Sequence, residues 1–295
     1  TYNDDYKFRE WVGHHKLYKD ELYKHIIVDN GSSPAYLKLV EESFPGSHLI
    51  KRTINGGCTG AYNDGIKLAL SDPAVDAIML IGNDIRLEVG GTAKLYDFLF
   101  SNPLFGMVSP VLLAKDSEII DDFGCDISKK LYMLPYDFGK KLSEVETKHR
   151  MVKSVTGGMN MARREFYEQV GLQDENLFMY SDEVDMALRT QKTGYIMAAT
   201  QLARAWHQHI NPKAGSHRAD FTYYLIGRNK MYLARKHFGI MRISYVFGAL
   251  LWRTAFAMAF GLFNRTSLKQ QLYFFWGILN GLVKNMELPG FIVKS

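Results

Sequence analysis

A chain of 295 residues that is 47% hydrophobic and 23% charged has the composition of a folded protein, not a disordered one, and is long enough for one large α/β domain with an appendage or for two small domains. Two cysteines, Cys58 and Cys125, exclude a disulfide-framed secreted scaffold and suit a reducing compartment. A net charge of +5 is too small to point to nucleic acid as a partner.

The opening Thr1-Tyr2-Asn3-Asp4-Asp5 is polar and acidic, unlike a signal peptide, and reads as a turn that follows a strand upstream of the numbering. Lys24 to Pro34 is an apolar run closed by turn residues, and Ala35 to Phe44 predicts a helix. His48 to Arg52 predicts a strand, Asn55 to Gly60 a glycine-rich loop, and Ala61 to Leu70 a second helix. Ile78-Met79-Leu80-Ile81 is apolar on both faces and ends at Gly82, the pattern of a short buried strand. Strand and helix alternating at such short intervals indicate βαβ units and a mostly parallel sheet.

Ligands of such sheets gather at the carboxyl ends of the strands. Asp29 and Asp84 both stand at strand ends, although an acid there also caps helices, and Gly82-Asn83-Asp84 has the composition of an ordinary turn. Phe105 to Asp126 predicts strands and loops, and Asp137 to Met151, polar and charged, predicts a mobile segment suited to a lid. Val155 to Ala162 leads into a helix start at Arg163-Arg164-Glu165-Phe166. Phe178 to Tyr195 predicts a helix with acids in its first turn and basic residues in its last.

Asp182, Glu183 and Asp185 share one helical turn, where mutual repulsion raises the pKa of at least one; Asp185 and Arg189 also have the spacing of an ordinary helix pair. His207, His209 and His217 follow. A His-x-His pair on one face of a strand can bind a transition metal, but no cysteine or third ligand supports structural zinc. One histidine completing an oxygen-rich divalent site on phosphate fits better, beside the plainer reading of a loop histidine satisfied by its neighbours. NGGCTG is not a dinucleotide fingerprint and no P-loop is present. Gly157-Gly158 either lets backbone approach a ligand or makes a turn.

Six stretches in order resemble family 2 glycosyltransferases of the GT-A fold, in particular the bacterial rhamnosyltransferase-like branch: TYN at Thr1, IIVDNGSS at Ile26, NGGCTGAYNDGI at Asn55, LIGNDI at Leu80, VTGGMNMARREFYEQVGLQDENLFMYSDEVDMALR at Val155 and AWHQH at Ala205. The resemblance implies a Rossmann-like central sheet flanked by helices over residues 1–237, and an inverting transferase for a nucleotide sugar such as dTDP-rhamnose or a UDP-hexose. It implies Asp84 as a ligand of Mn2+ or Mg2+, with Gly82 in place of the first acid of the usual D-x-D and His207 completing the site (His209 as second choice). It also implies donor contacts at Thr1, Tyr2, Asp29, Asn55, Asn63, Asn83 and Gly158, and a general base at Glu183, with Asp182 in reserve. A catalytically silent nucleotide-sugar-binding module, or a membrane-associated scaffold, is the competing class.

Beyond about Arg228 the chain turns basic, with Arg228, Lys230, Arg235, Lys236 and Arg242, and then apolar and aromatic. Ile243 to Phe263 has the length of a bilayer span, but Arg253 at its centre argues against one, and Leu272 to Val283 is too short. Residues 238–295 therefore predict amphipathic helices on a membrane surface, with subunit packing in a homo-oligomer as the other use. Such a tail suits a glycan acceptor that is itself lipid-linked, and a protein peripheral on the cytoplasmic face of the cell membrane.

Overall fold

The computed structural model describes residues 1–18, 21–208, 217–261 and 265–290. The chain divides into two compact units, the first comprising Thr1–Asp126, Leu134–Glu175 and Met186–His209, the second Ile127–Met133, Asn176–Asp185 and Ile210–Ser295.

The first unit opens with α1 (Asp5–Tyr18), β1 (Ile26–Asp29), α2 (Pro34–Ser43) and β2 (His48–Lys51). β1 and β2 pair in parallel, and Phe8, Trp11, Ile27, Tyr36, Val40 and Phe44 form the core against them. Ser33 caps α2 by accepting from Tyr36 N–H, and Pro34 stands at its first position, where no amide is needed. There follow α3 (Gly57–Leu70), β3 (Ala77–Ile81), β4 (Ile85–Leu87), α4 (Gly91–Phe100), β5 (Phe105–Ala114), β6 (Ile120–Asp122), the hairpin β7 (Cys125–Ile127) and β8 (Met133–Pro135), β9 (His149–Val152), β10 (Met159–Arg163) and α5 (Arg164–Val170). Helix α6 (Asp182–Thr190) begins in the second unit, and β11 (Ile196–His207) returns to the first.

The main sheet has the order β3-β10-β5-β11-β4, with β6 on β5 and β9 on β11. The helix-flanked central sheet is as expected, but its pairing is mixed rather than mostly parallel. β10 inserts antiparallel between β3 and β5, and of the main-sheet pairs β5–β11 alone is parallel. The order of apolar runs cannot reveal this, because pairing direction is fixed by what the returning chain buries. Along β5 the faces alternate: Val108 and Leu112 pack with Leu95, Phe98 and Leu99 of α4, and Met107 packs with Ile66 of α3 and Phe166 of α5.

Two arginines at the β10–α5 junction explain the ARREF stretch. Arg163 donates to the carbonyls of Leu99, Asn102 and Phe105, and Arg164 to those of Leu70, Asp72 and Val75. Each guanidinium thus satisfies carbonyls left open where α4 or α3 ends, at the negative pole of the helix dipole.

Asp137 to Met151 is anchored, contrary to the mobile segment expected. Asp137 pairs with Lys140 and Arg150, Leu142 and Val145 are buried, and β9 pairs with β11. Its charges meet one another, so high polarity there is not a sign of mobility.

The second unit is built on α7 (His217–His237), α8 (Ile240–Gly261) and α9 (Arg265–Leu282). α7 and α9 approach at backbone distance: a Cβ at Gly277 would fall 2.1 Å from Tyr224 O, and one at Gly281 2.2 Å from Arg228 O. The basic run at the head of this region does not form a surface patch. Arg228 and Lys230 are buried, Lys236 pairs with Asp185 at 2.7 Å, and Arg235 donates to Leu282 O. Among the described residues no helix is long and apolar enough to cross a membrane.

Candidate active site

Asp29 closes β1 and is buried, with Oδ2 accepting from Ser32 N–H at 3.1 Å and Oδ1 without a hydrogen-bond partner among the described residues. Thr1 runs beside this strand end: its nitrogen donates to Val28 O at 2.7 Å, and its carbonyl accepts from Asn30 N–H at 3.0 Å. Its hydroxyl bonds to that of Tyr36, and Tyr2 is half-buried next to it. Asn30, which sequence reasoning passed over as a turn residue, joins the two loops. Its Nδ2 donates to Asn55 Oδ1 and Gly57 O, both at 2.9 Å, and its Oδ1 accepts from Gly56 N–H at 3.1 Å. Gly31 permits that contact with φ +80°, where a Cβ would lie 2.8 Å from Ile54 C. Asp29, Thr1 and Asn55 are therefore gathered at one strand end.

Asn63 is engaged within the fold. It is buried, its Nδ2 donates to Gln173 O and Glu175 Oε1, and its Oδ1 accepts from Gln173 N–H, each at 2.9 Å. That amide braces α3 against the segment after α5.

At the end of β3, Gly82 N–H donates to Gly158 O at 2.8 Å, and a Cβ on Gly158 would sit 2.7 Å from Ile85 Cδ1. Gly158 is thus brought against the Gly82-Asn83-Asp84 turn. Asp84 O accepts from Gln208 N–H at 2.9 Å, which ties the turn to the end of β11 and places His207 Nε2 3.8 Å from Asp84 Oδ2. On the other side of the ring, His207 Nδ1–H donates to Asp121 Oδ2 at 2.7 Å. Burial works to lower the pKa of His207, but the hydrogen bonds and charges of Asp121 and Asp84 outweigh it and push it up to about 9. Neighbouring Asp122 is pushed up by burial while accepting from Gly124 N–H. Asp121 was missed in the sequence because its signal, one Asp-Asp pair after an apolar run, has many structural uses.

A cavity of about 350 Å³ opens between β1 and β3, with Thr1 and Asn83 on its wall and Trp11, His15 and Tyr62 farther along it. None of Asp29, Asp84 and Asp121 lines it, so it is not where the acidic chemistry collects.

In the second unit the three acids of the α6 start have separate fates. Asp185 is fully buried and held by Lys236 Nζ and His237 Nε2, both at 2.7 Å. Arg189, in the last turn of the helix, donates to Val170 O and Leu172 O. Asp182 is buried and pushed up to about 6, chiefly by burial, with the Asp185 charge adding to it against a hydrogen bond from Glu183. Glu183 is half-buried, the most accessible of the three.

The segment before these acids is bent by three non-glycine residues at positive φ, Phe178 (63°), Tyr180 (68°) and Ser181 (65°), a costly conformation. Asn229 of α7 holds it, with Nδ2 donating to the carbonyls of Leu177, Met179 and Tyr180. The buried Arg228 guanidinium donates to Asn176 O and Leu177 O. His209 lies outside the described residues.

A mixed sheet flanked by helices, with its acids at the strand ends, is the architecture of a GT-A glycosyltransferase. The chain belongs to glycosyl transferase family 2, whose profile matches residues 14–171, more than half of its length. It is 25% identical to the N-acetylglucosaminyl-diphospho-decaprenol L-rhamnosyltransferase of Mycobacterium tuberculosis over 268 residues, 83% of this chain and 84% of that one. It is 24% identical to the low-salt glycan biosynthesis hexosyltransferase Agl10 of Haloferax volcanii, over 75% of this chain and 70% of that one. In fold it is similar to the mannosyltransferase PcManGT of Pyrobaculum calidifontis, solved with GDP-Man and Mn2+, at a TM-score of 0.55 and 15% identity over 96% of this chain and 85% of that one. It is also similar to GalNAc-T7, solved with UDP, GalNAc and Mn2+, at a TM-score of 0.51 and 13% identity over 72% of this chain. There this chain spans 45% of the other's length.

Proposed function

We propose that this glycosyltransferase moves a sugar, with inversion, from a nucleotide donor of the dTDP-rhamnose or UDP-hexose type to a hydroxyl of a lipid-linked glycan, in the synthesis of a cell-surface polysaccharide. The observation that carries the reading is the pairing of Asp84 with His207 at the ends of β3 and β11. One carboxylate and one imidazole, with water and diphosphate oxygens filling the other positions, make a donor set that fits Mn2+ or Mg2+. Among the described residues no third acidic, His or Cys side chain joins them as a ligand, so the protein's share of the site is sparse and the nucleotide completes it. Asp84 and His207 would hold such an ion, which would supply positive charge to the diphosphate leaving group.

The other roles follow from the chain's own groups. The unpartnered Oδ1 of Asp29 accepts an N–H of the nucleobase, beside Thr1, Tyr2 and Asn55. Asn83 and the backbone at Gly158 serve the sugar and ribose. Glu183 takes the proton of the acceptor hydroxyl, whose oxygen attacks the anomeric carbon as the bond to the diphosphate breaks; the nucleoside diphosphate departs and the centre is inverted. The rhamnosyl and hexosyl relatives support the donor class, and the diphospho-decaprenol named for the mycobacterial relative supports a lipid-linked acceptor.

The test is thermal-shift binding of dTDP, UDP and GDP, each with and without Mn2+. Stabilisation by dTDP or UDP that requires Mn2+ is the expected result. Stabilisation by none of the three would reject the nucleotide-sugar reading.

A further inference from the structure

An ordinary surface helix turns its polar face to water. In α8 the exposed face is apolar. Val246, Leu250 and Thr254 recur at i, i+4 and i+8 on the buried side. Met241 (86% exposed), Tyr245, Trp252 (75% exposed) and Phe256 recur at helical spacing on the solvent side. Ser244, Gly248, Ala255 and Ala259 fill the gaps between them, so no charge interrupts the stripe. α9 carries a second stripe, Leu272, Trp276 and Leu279, continued by Val283 just past its end and flanked by Lys269 and Lys284. Side by side, the two helices are joined by Arg253, which donates to Gln271 at 3.1 Å and lies over the Phe274 ring. Exposed apolar surface of this extent marks an interaction site.

Charge decides what it meets. From Phe221 to Met286 the sequence contains no Asp or Glu and nine Lys or Arg. Five of the nine are internal or paired, namely Arg228, Lys230, Arg235, Lys236 and Lys269. Lys284 is exposed, and Arg242 and Arg253 are half-exposed beside the stripes. A second copy of the chain would set one cationic rim against another, which opposes self-association. A phospholipid surface meets every feature at once: aromatic rings at the headgroup boundary, aliphatic side chains below it, and phosphates for the cations. Among the described residues neither helix is long and apolar enough to cross a membrane, and a placement in the membrane plane is the one that uses both stripes at once.

We propose that the exposed stripes of α8 and α9, centred on Trp252, Phe256 and Trp276, form a monotopic docking face for an anionic phospholipid surface. The site consists of these stripes and not of the basic run at Arg228–Lys236, whose side chains are largely engaged within the protein.

The experiment is flotation of the full chain with phosphatidylcholine vesicles, with and without phosphatidylglycerol, alongside light scattering for oligomeric state. The expected result is binding that phosphatidylglycerol strengthens and salt weakens. The double variant W252S/F256S should lower the partition roughly tenfold or more, because each ring loses apolar area that the interface had buried. Both side chains are solvent-exposed, so its circular dichroism should match the parent; W276S on α9 provides an independent variant. No flotation with either vesicle would overturn the proposal, as would unchanged flotation of both folded variants, or a dimer dissociated by W252S in a protein that floats with neither vesicle. Vesicle binding needs no sugar donor, so its failure would leave the proposed transfer reaction standing.

Discussion

His207 Nδ1 and Asp121 Oδ2 lie 2.7 Å apart across 86 residues of sequence. With Nδ1–H given to Asp121, the ring is fixed so that Nε2 faces Asp84. Carboxylates that orient a metal-binding histidine in this way commonly contribute 10–100-fold to affinity. Asp121→Ala should therefore weaken Mn2+ binding by about that factor in the presence of nucleotide, with Asp121→Glu recovering part of it. Titration followed by Mn2+ paramagnetic resonance reads this directly. Unchanged affinity in a folded Asp121→Ala protein would remove the orienting role.

The same pair sets a pH dependence for the protein in EDTA. Its folded pKa of about 9 lies above the ordinary value of 6.5, so the native state holds the proton more tightly than the unfolded chain. The stability this contributes is fully present below pH 6.5 and is lost as pH rises through 9. Urea midpoints should fall across that window, and His207→Gln should flatten that part of the curve. A parallel curve in the variant would show that other groups carry the slope.

Asp182 and Glu183 are neighbours whose substitution should have opposite consequences. Glu183→Gln should abolish turnover while leaving Mn2+-dependent nucleotide binding intact, because the base is needed only by the acceptor. Asp182 is buried with its pKa raised to about 6 from 3.8, so its ionisation costs stability progressively from pH 4 to 6, and that cost persists above pH 6. Asp182→Asn should accordingly raise the urea midpoint at pH 7.5 and retain turnover. Normal turnover in Glu183→Gln, with loss in Asp182→Asn, would move the base to Asp182.

Much of this site was legible because local chemistry announces it. The Asp29 and Asp84 turns each follow a short apolar run, and His207 ends a longer one, so their strand-end positions need no tertiary information. The antiparallel insertion of β10 was not legible, since Met159–Arg163 reads the same in either direction. Nor was the use of charge. Arg228, Lys230 and Lys236 look like a surface patch in sequence, and only the folded contacts reveal that they hold carbonyls and Asp185. Asn63 is ambiguous in the same way: an amide placed for a ligand and one placed to brace Gln173 have identical sequence signatures.

Asn229 bears on the proposed base Glu183 through the loop before it. Its amide joins three carbonyls of a segment in which Phe178, Tyr180 and Ser181 hold positive φ, a conformation that persists only when surrounding contacts fix it. Asn229→Ala removes those contacts and leaves buried acceptors unpaired, which should cost about 2–3 kcal/mol in urea denaturation. Since the segment leads directly into Asp182 and Glu183, the variant should also lose kcat while the KM for the donor stays near the parent value, because Asp29, Asp84 and His207 are carried by other elements. Asn229→Asp can accept but not donate, so it should behave like Ala and not rescue. A fall in donor affinity equal to the fall in kcat would indicate general unfolding instead, and would separate a structural asparagine from one that positions the base.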